Sequence, residues 1–286
     1  MAGLMQVKGE KTMKNGICTD SIKAAYGEKV IIEELSISIP MGQITTIIGP
    51  NGCGKSTFLK TLGRILGIKK GCIYLDGEEI HKLPTRELAK KLAILPQTPQ
   101  APDGLTVEEL VSYGRFPYQK GLGRLTEEDK GIVAWAIEAT GLKGLEGQAT
   151  SELSGGQRQR VWIAMALAQE TEVILLDEPT TYLDMAYQLE ILELLEDLNK
   201  EHGCTILMVL HDLNLASKFA DHMIAFREGR VVKAGTPCEV MNNETLKEVF
   251  EIDAAIVTDP LSSRPVCMSY QLLSKAGNKG KVKKGA

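Results

Sequence analysis

One short stretch, GPNGCGKST at 49–57, constrains the fold of this chain more than any other feature. It matches the pattern G-x-x-x-x-G-K-[ST] through Gly49, Gly54, Lys55 and Ser56, follows an apolar run, and opens a helical pattern. Glycines allow backbone N–H groups to curl around a phosphate, and the helix N-terminus adds partial positive charge. In this motif the lysine reaches the outer phosphates and the hydroxyl ligates Mg²⁺. The stretch therefore predicts a strand–loop–helix unit that binds a nucleoside triphosphate.

Four short apolar runs, each bounded by loop signals, predict the strands of a parallel sheet. They lie at 44–49, 92–97, 173–179 and 205–212. Each run is apolar on both faces, which is typical of strands buried between two layers. Helical patterns alternate with the runs. Because strand–helix alternation favours crossover connections, we predict an α/β fold with a mostly parallel sheet.

Two further kinds of structure are predicted around this core. Residues 17–39 and 222–234 have the pattern of antiparallel strand pairs, the second with a Glu-Gly turn. The region from about 101 to 168 is more polar and mostly helical. We therefore predict a helical subdomain inserted into the α/β core, together with an antiparallel part at the N-terminus.

The ends of the chain differ in composition from its body. We predict a flexible leader at 1–16, a single domain at 17–274 and a basic flexible tail at 275–286, which holds five lysines and no acid. Met1 and Met13 are both candidate start residues. The formal net charge of −4 includes this tail. The body is therefore acidic and lacks the basic face that nucleic-acid binding needs, so we expect no nucleic-acid partner.

Cysteine usage and hydropathy indicate the compartment. The six cysteines have neither metal-ligand nor redox-motif spacing, which is typical of reduced thiols in a cytosolic protein. No run approaches the roughly 18 apolar residues of a membrane-spanning helix, and the first residues lack the apolar core of a signal peptide. These features predict a cytosolic protein.

The run VILLDEP at 173–179 ends in two acids, Asp177 and Glu178. A nucleoside triphosphate with Mg²⁺ needs a carboxylate near the metal, and phosphate-loop enzymes place it at the end of a neighbouring strand. Asp177 fits that place, which leaves Glu178 to orient or deprotonate an attacking water. The alternative is that the two acids simply begin a solvated loop.

A second glycine pair occurs in LSGGQRQR at 153–160. Ser154, Gly155 and Gly156 stand at the start of a helical pattern, where Val161 and Ala168 share one apolar face. One interpretation is an ordinary N-cap in which the serine hydroxyl accepts from the first turn. The other is a second anion-binding helix start, which the phosphate loop of the same chain does not need.

Taken together, the phosphate loop, LSGGQ and VILLDEP resemble the ATP-binding cassette (ABC) ATPase family, over about residues 17 to 270. We call LSGGQ, at 153–157, the signature loop. The resemblance implies a homodimer in which two subunits meet head to tail, so that each signature loop closes over the ATP of the other subunit. It thereby offers a reason for two anion-binding helix starts in one chain.

The resemblance also assigns roles to individual positions. It implies Glu178, His211 and Gln97 as catalytic residues and Ser56, Gln97 and Asp177 as Mg²⁺ ligands. Tyr26 would stack on adenine, and Asp184 would lie at the subunit contact. The implied ATP-binding positions are Tyr26, Gly49, Pro50, Asn51, Gly52, Cys53, Gly54, Lys55, Ser56, Thr57, Ser154, Gly155, Gly156, Gln157 and Asp184.

Segments outside the nucleotide motifs narrow the resemblance further. TTYLD with its Tyr182, VLHDLNLA, GTPCEV and DPLSSRPVC are similar to the subgroup that serves iron–siderophore, haem and cobalamin importers. That subgroup implies ATP hydrolysis on the cytoplasmic face of the membrane, integral membrane permease subunits as partners, and indirectly a substrate-binding protein. The alternatives are an importer of another cargo, a non-transport ABC ATPase, and a regulatory protein that binds ATP without turnover. A phosphate-release assay separates the last from the others.

Overall fold

The computed structural model describes residues 16–102, 104–119, 124–181 and 183–273. The predicted leader up to residue 15, the predicted tail and Tyr182 lie outside the described residues. The strands of the described part are β1 (Ile17–Tyr26), β2 (Lys29–Ile39), β3 (Ile44–Ile48), β4 (Ile68–Leu75), β5 (Glu78–Glu79), β6 (Leu92–Leu95), β7 (Val173–Asp177), β8 (Thr205–Val209), β9 (His222–Arg227), β10 (Arg230–Gly235), β11 (Ile252–Thr258) and β12 (Pro265–Leu272). Its helices are α1 (Lys55–Leu62), α2 (Thr85–Lys91), α3 (Val107–Ser112), α4 (Glu127–Ala139), α5 (Gly155–Ala168), α6 (Met185–His202), α7 (Leu213–Phe219), α8 (Pro237–Val240) and α9 (Asn243–Phe250).

The central sheet has six strands in the order β10-β9-β3-β8-β7-β6. The strands from β9 to β6 are parallel, and β10 joins the edge antiparallel to β9. The four apolar runs form β3, β6, β7 and β8, so the prediction of a mostly parallel sheet is confirmed. The predicted Glu-Gly turn joins β9 to β10 at Glu228 and Gly229, both with positive φ.

The central strands are apolar on both faces because each face meets its own hydrophobic core. Ile48 and Leu176 belong to a cluster shared with the helices, whereas Ile47 and Leu175 belong to a second cluster with α1 and the N-terminal strands. Every residue of β3, β7 and β8 is buried. Burying one such side chain stabilises a fold by roughly 1.5–3 kcal/mol. These strands therefore form a rigid support for the loops at their carboxyl ends.

A second sheet, in the order β2-β1-β4-β5, is antiparallel and covers the face of the central sheet that carries α1. The predicted strand pair at 17–39 is confirmed as β1 and β2, with partners such as Ile17 and Ile39. The sequence analysis did not predict β4, which pairs with the other edge of β1.

The predicted helical insertion contains α3, α4 and α5, which pack against one another. Thr106 and Thr126 cap α3 and α4 in capping boxes. Between these helices Arg115 is buried, and its guanidinium lies 2.8 Å from Asp129 and 2.8 Å from Glu170. Burial opposes ionisation of Asp129, but hydrogen bonds from Thr126 and Arg115 hold its pKa below the ordinary value. The buried cation is thus compensated by two carboxylates, which fixes the three helices together.

The described chain ends in an antiparallel hairpin of β11 and β12 that the sequence analysis did not predict. Its second strand packs against α7, and Asn214 exchanges hydrogen bonds with the backbone of Cys267. None of the described helices combines the length and the apolar character needed to cross a membrane.

Candidate nucleotide site

The phosphate loop connects the end of β3 to the start of α1, at the carboxyl edge of the central sheet. Two of its glycines are needed for steric reasons. Gly49 has φ 155°, and a Cβ there would lie 2.2 Å from the Phe226 carbonyl oxygen. Gly54 caps α1 in a left-handed conformation with φ 111°. The loop therefore curls tightly against β9, and the first amides of α1 point into the site.

Lys55 is buried although it is charged, because backbone carbonyls solvate its ammonium group. Its Nζ donates to the Gly49 oxygen at 2.8 Å and to the Pro50 oxygen at 3.0 Å. The side chain is only 5% exposed. The cation is therefore held inside the loop curve, where a phosphate oxygen would be within its reach.

Ser56 and Asp177, two of the predicted Mg²⁺ ligands, lie in contact at the sheet edge. The Ser56 hydroxyl donates to Asp177 Oδ1 at 2.8 Å, while Asp177 Oδ2 is buried without a hydrogen-bond partner among the described residues. Burial is the main reason that the pKa of Asp177 is raised, and the Ser56 hydrogen bond opposes it. A buried carboxylate oxygen without a partner beside a hydroxyl oxygen is a donor set that suits a hard divalent cation such as Mg²⁺.

Replacing Asp177 by asparagine is expected to stabilise the nucleotide-free protein. The cost of the buried carboxylate is absent below the unfolded-state pKa of about 3.8 and grows as the pH rises toward the higher folded-state pKa. At pH 7 the neutral amide avoids that cost, which we expect to be about 1 kcal/mol, or a few degrees in Tm. Thermal unfolding at pH 7 measures the change. The exposed Asp197→Asn is the matched control, with an unchanged Tm. A Tm for Asp177→Asn below that of wild type would contradict this account.

Three side chains contact the carboxylate of Glu178. Gln97 Nε2 donates to Glu178 Oε2 at 2.6 Å, His211 Nε2 lies 2.6 Å from Oε1, and the Thr181 hydroxyl donates to Oε2 at 3.1 Å. The residue itself is 8% exposed and has a positive φ of 56°. A strained non-glycine backbone of this kind persists only where its surroundings enforce it. The carboxylate is therefore fixed in place beside the phosphate loop.

Most predicted site residues line one cavity of about 490 Å³. Tyr26, at the end of β1, lies at its rim and is 46% exposed. In this structure Gln97 contacts Glu178 instead of the Ser56–Asp177 pair, so its predicted contact with a metal stays a prediction. Among the predicted residues the cavity brings together Tyr26, Asn51, Gly52, Gly54, Lys55, Ser56, Thr57, Gln97, Glu178 and His211.

The signature loop does not line this cavity. The Ser154 hydroxyl accepts from the Gln157 amide at 3.2 Å, and Gln157 Oε1 accepts from the Ser154 amide at 3.0 Å. Asp184 likewise caps α6 by accepting from the Tyr187 amide at 3.1 Å. Within the single chain both are therefore helix caps. A Cβ on Gly155 would meet no heavy atom within 4 Å, so the start of α5 is open to solvent.

Two hydrogen bonds that sequence reasoning missed hold the loop that follows Glu178, one from α5 and one from α6. Gln159 donates to the Pro179 oxygen at 3.0 Å, directly after Glu178. Gln188 of α6 donates to the Leu183 oxygen at 3.0 Å. No pattern in the sequence identifies which carbonyl oxygen a side-chain amide such as that of Gln159 will bind. The contact of Thr181 with Glu178 was also missed. Its signal in the sequence was the position of Thr181 three residues after Glu178.

The phosphate loop and the strand that carries Asp177 both fall inside a segment that matches a known family. A sequence profile of the family described as ABC transporter matches residues 32–181, more than half of the chain. The chain belongs to the ABC transporter family. It is an ATPase of the ATP-binding cassette type and binds ATP, as the phosphate loop predicted.

Curated relatives of this cassette match over nearly their whole length. The iron(3+)-hydroxamate import ATP-binding protein FhuC of Bacillus subtilis (strain 168) is 61% identical over 259 residues, covering 91% of this chain and 96% of the relative. The achromobactin transport ATP-binding protein CbrD of Dickeya dadantii (strain 3937) is 49% identical, covering 89% and 94%. The ferric enterobactin transport ATP-binding protein FepC of Escherichia coli (strain K12) is 45% identical, covering 86% and 91%.

Solved structures of cassettes share the fold. A dimeric post-hydrolysis state of the ATP-binding cassette MJ0796 with bound ADP and Pi has a TM-score of 0.69 and 31% identity, covering 77% of this chain and 98% of that one. The cbiO1 protein of Clostridium perfringens, part of the transporter complex cbiONQ, has a TM-score of 0.71 and 30% identity, covering 82% and 94%. The predicted fold class is thus confirmed, including the antiparallel and helical parts.

Proposed function

We propose that this cassette is the ATP-hydrolysing subunit of an importer for iron–siderophore complexes. The observation that carries the proposal is the 61% identity to an iron(3+)-hydroxamate import protein over almost the full length of both chains. Two further relatives, at 49% and 45% identity, are named for achromobactin and ferric enterobactin. These three names share one cargo class, the iron–siderophore complexes, although the siderophores themselves differ.

ATP and Mg²⁺ are bound at the edge of the central sheet in this proposal. Backbone N–H groups of the phosphate loop and the Lys55 ammonium would hold the β- and γ-phosphates, and Tyr26 would stack on the base. Ser56 and Asp177 would hold the metal through the hydroxyl and the buried carboxylate oxygen that has no hydrogen-bond partner among the described residues. Mg²⁺ bound there would supply positive charge that stabilises the negative charge of the phosphates.

Glu178 has the role of orienting the attacking water and accepting its proton. The contacts of its carboxylate with Gln97, His211 and Thr181 support this role, because they leave the carboxylate little freedom to rotate. A fixed acceptor lowers the entropy cost of placing the water in line with the phosphate. His211 and Gln97, which line the same cavity, would contact the γ-phosphate and respond to its release.

The active form in this proposal is a homodimer. The open start of α5, away from its own phosphate loop, supports the interpretation that Ser154, Gly155, Gly156 and Gln157 contact the ATP of a second copy. Asp184 would lie at the same contact. The similarity to a cassette solved as a dimer with ADP and Pi adds support.

The dimer would sit peripherally on the cytoplasmic face of the membrane, against integral membrane permease subunits that a substrate-binding protein supplies with cargo. The names of the relatives as import and transport proteins support this assignment. Residues 17–274 would act as one domain, with the helical part at about 101–168 transmitting closure of the dimer to the permease.

Deleting this gene is expected to abolish uptake of ferric hydroxamate complexes, because the permease would lose its source of energy. Uptake of radioactive iron supplied as a hydroxamate chelate measures the effect. Restoring the wild-type gene should restore transport, whereas Glu178→Gln should not. Undiminished uptake of hydroxamate, catecholate and other iron chelates in a strain without a second copy of this ATPase would contradict the cargo assignment.

A further inference from the structure

A second cavity, of about 730 Å³, lies at the edge of the central sheet opposite to the nucleotide site. Gly42, Thr171 and Cys204 line it, just before the starts of β3, β7 and β8. The five residues of β3 separate the two edges by about 17 Å. We call this space the basal cavity. Its volume is in the range of small-molecule sites, and neither the sequence motifs nor the proposed hydrolysis uses it.

The walls of the basal cavity come from both the helical part and the core. One stripe of α4 faces it at the spacing i, i+3, i+4, i+7, formed by Glu128, Gly131, Ile132 and Trp135. Leu198 and His202 of α6 face that stripe. Trp135 and His202 meet edge to face, with ring centroids 6.0 Å apart. An aromatic pair therefore bridges the two walls.

The floor of the basal cavity is apolar and well packed. Leu167, Ile174 and Leu198 line it and are 4%, 4% and 6% exposed. Trp135 remains 40% exposed at the wall. The cavity thus offers a ligand an apolar base together with the face or edge of an indole ring.

Apart from His202, the charged side chains that line the basal cavity are acidic. Glu128, Glu170 and Glu172 line it, and its lining, all within the described residues, includes no lysine and no arginine. Arg115 offsets part of the negative charge of Glu170, because its Nη1 lies 2.8 Å from that carboxylate while the same guanidinium also pairs with Asp129. Glu128 and Glu172 are exposed carboxylates. They give the rim a negative potential that favours a cation over an anion or a neutral molecule.

We propose that the basal cavity is a binding site for an aromatic organic cation. Aromatic groups of the ligand would fill the apolar floor, and its positive charge would lie near Trp135 and between Glu128 and Glu172. Cation–π attraction and the two carboxylates both act on the cation, and neither needs a hydrogen-bond donor from the ligand. Because the site bridges α4 and α6, a bound cation would link the helical part to the core.

Tetraphenylphosphonium and tetraphenylborate are matched probes, since they share size and shape but carry opposite charges. We expect the full-length protein to bind the phosphonium in calorimetry and the borate at least about tenfold more weakly. Quenching of tryptophan emission by the phosphonium should follow the same binding curve and should be lost in Trp135→Phe. Undetectable binding of the phosphonium, or equal binding of the two probes, would overturn the proposal.

Two variants locate the probe. A Cβ on Gly131 meets nothing within 4 Å, so Gly131→Leu places its side chain in the cavity without backbone strain. Gly147→Leu, outside the cavity and equally unobstructed, is the control. We expect at least about tenfold weaker phosphonium binding for Gly131→Leu and unchanged binding for Gly147→Leu.

Should Gly131→Leu fail to fold, the double variant Glu128→Gln, Glu172→Gln tests the same site, and we expect it to bind the phosphonium several-fold more weakly. Wild-type affinity in a folded Gly131→Leu, or in the double variant, contradicts the proposal. The test depends only on phosphonium binding and not on ATP binding, which is measured separately.

Discussion

Replacing Glu178 by glutamine is expected to slow ATP hydrolysis at least about 100-fold while ATP binding is retained. Glutamine has the same size and keeps an oxygen that can accept a hydrogen bond from Gln97 or His211. It cannot take a proton from water, because its amide is not basic. The phosphate loop and the Ser56–Asp177 pair are untouched by the change. Phosphate release and equilibrium binding of ATP with Mg²⁺ measure the two properties on the same purified protein.

Two further variants make that result specific. Glu193→Gln, at an exposed position on α6, makes the same change of charge away from the site and should hydrolyse ATP as wild type does. Lys55→Ala should instead weaken ATP binding itself, because it removes the ammonium that the loop holds beside the phosphates. Turnover by Glu178→Gln within a few-fold of wild type would remove Glu178 from its proposed role.

Buried elements with one regular pattern could be predicted from the sequence. The runs that became β3, β7 and β8 are apolar at every position, because both faces of the central sheet are covered. The phosphate loop could be predicted because steric contacts, such as that between Gly49 and the Phe226 oxygen, restrict the residue types allowed. Elements that are determined by local steric contacts and by burial can thus be predicted from the sequence.

The elements that were missed have patterns that burial does not explain. In β12, Met268, Tyr270 and Leu272 alternate as a buried strand face would, yet they are 74%, 70% and 81% exposed. In β4, two lysines and Gly71 interrupt the apolar pattern, and register shifts interrupt its pairing with β1. Such strands are fixed by pairing with distant segments, and one sequence does not reveal those partners.

The same distinction holds within the candidate site. The proximity of Ser56 to Asp177 is consistent with strand direction, because β3 and β7, separated only by β8, are parallel and end at the same edge of the sheet. The hydrogen bonds from Gln97 and Thr181 to Glu178 depend on side-chain rotamers that the sequence does not specify. The roles of these residues in hydrolysis, and the boundaries of the domain, stay predictions.

The central claim is that each signature loop serves the ATP of the other subunit, and a mixed dimer tests it. One chain carries Lys55→Ala and the other Ser154→Arg, with different affinity tags, and both carry Glu178→Gln so that bound ATP is not consumed. If the site is shared, both defects fall in one of the two sites and the other site is intact. If each chain serves its own ATP, both sites are damaged. Ser154→Ala, which removes the same helix cap without adding bulk, shows whether a loss of about 1 kcal/mol from the cap affects folding.

The decisive measurement is the amount of ATP retained by the purified heterodimer after gel filtration. Each parent homodimer should retain almost none, because every site then lacks the Lys55 ammonium or meets the inserted guanidinium. The heterodimer should retain about one ATP per dimer, half of what a dimer carrying only Glu178→Gln retains, since one complete phosphate cradle remains. A heterodimer that assembles normally yet retains no more ATP than its parents would contradict the shared site.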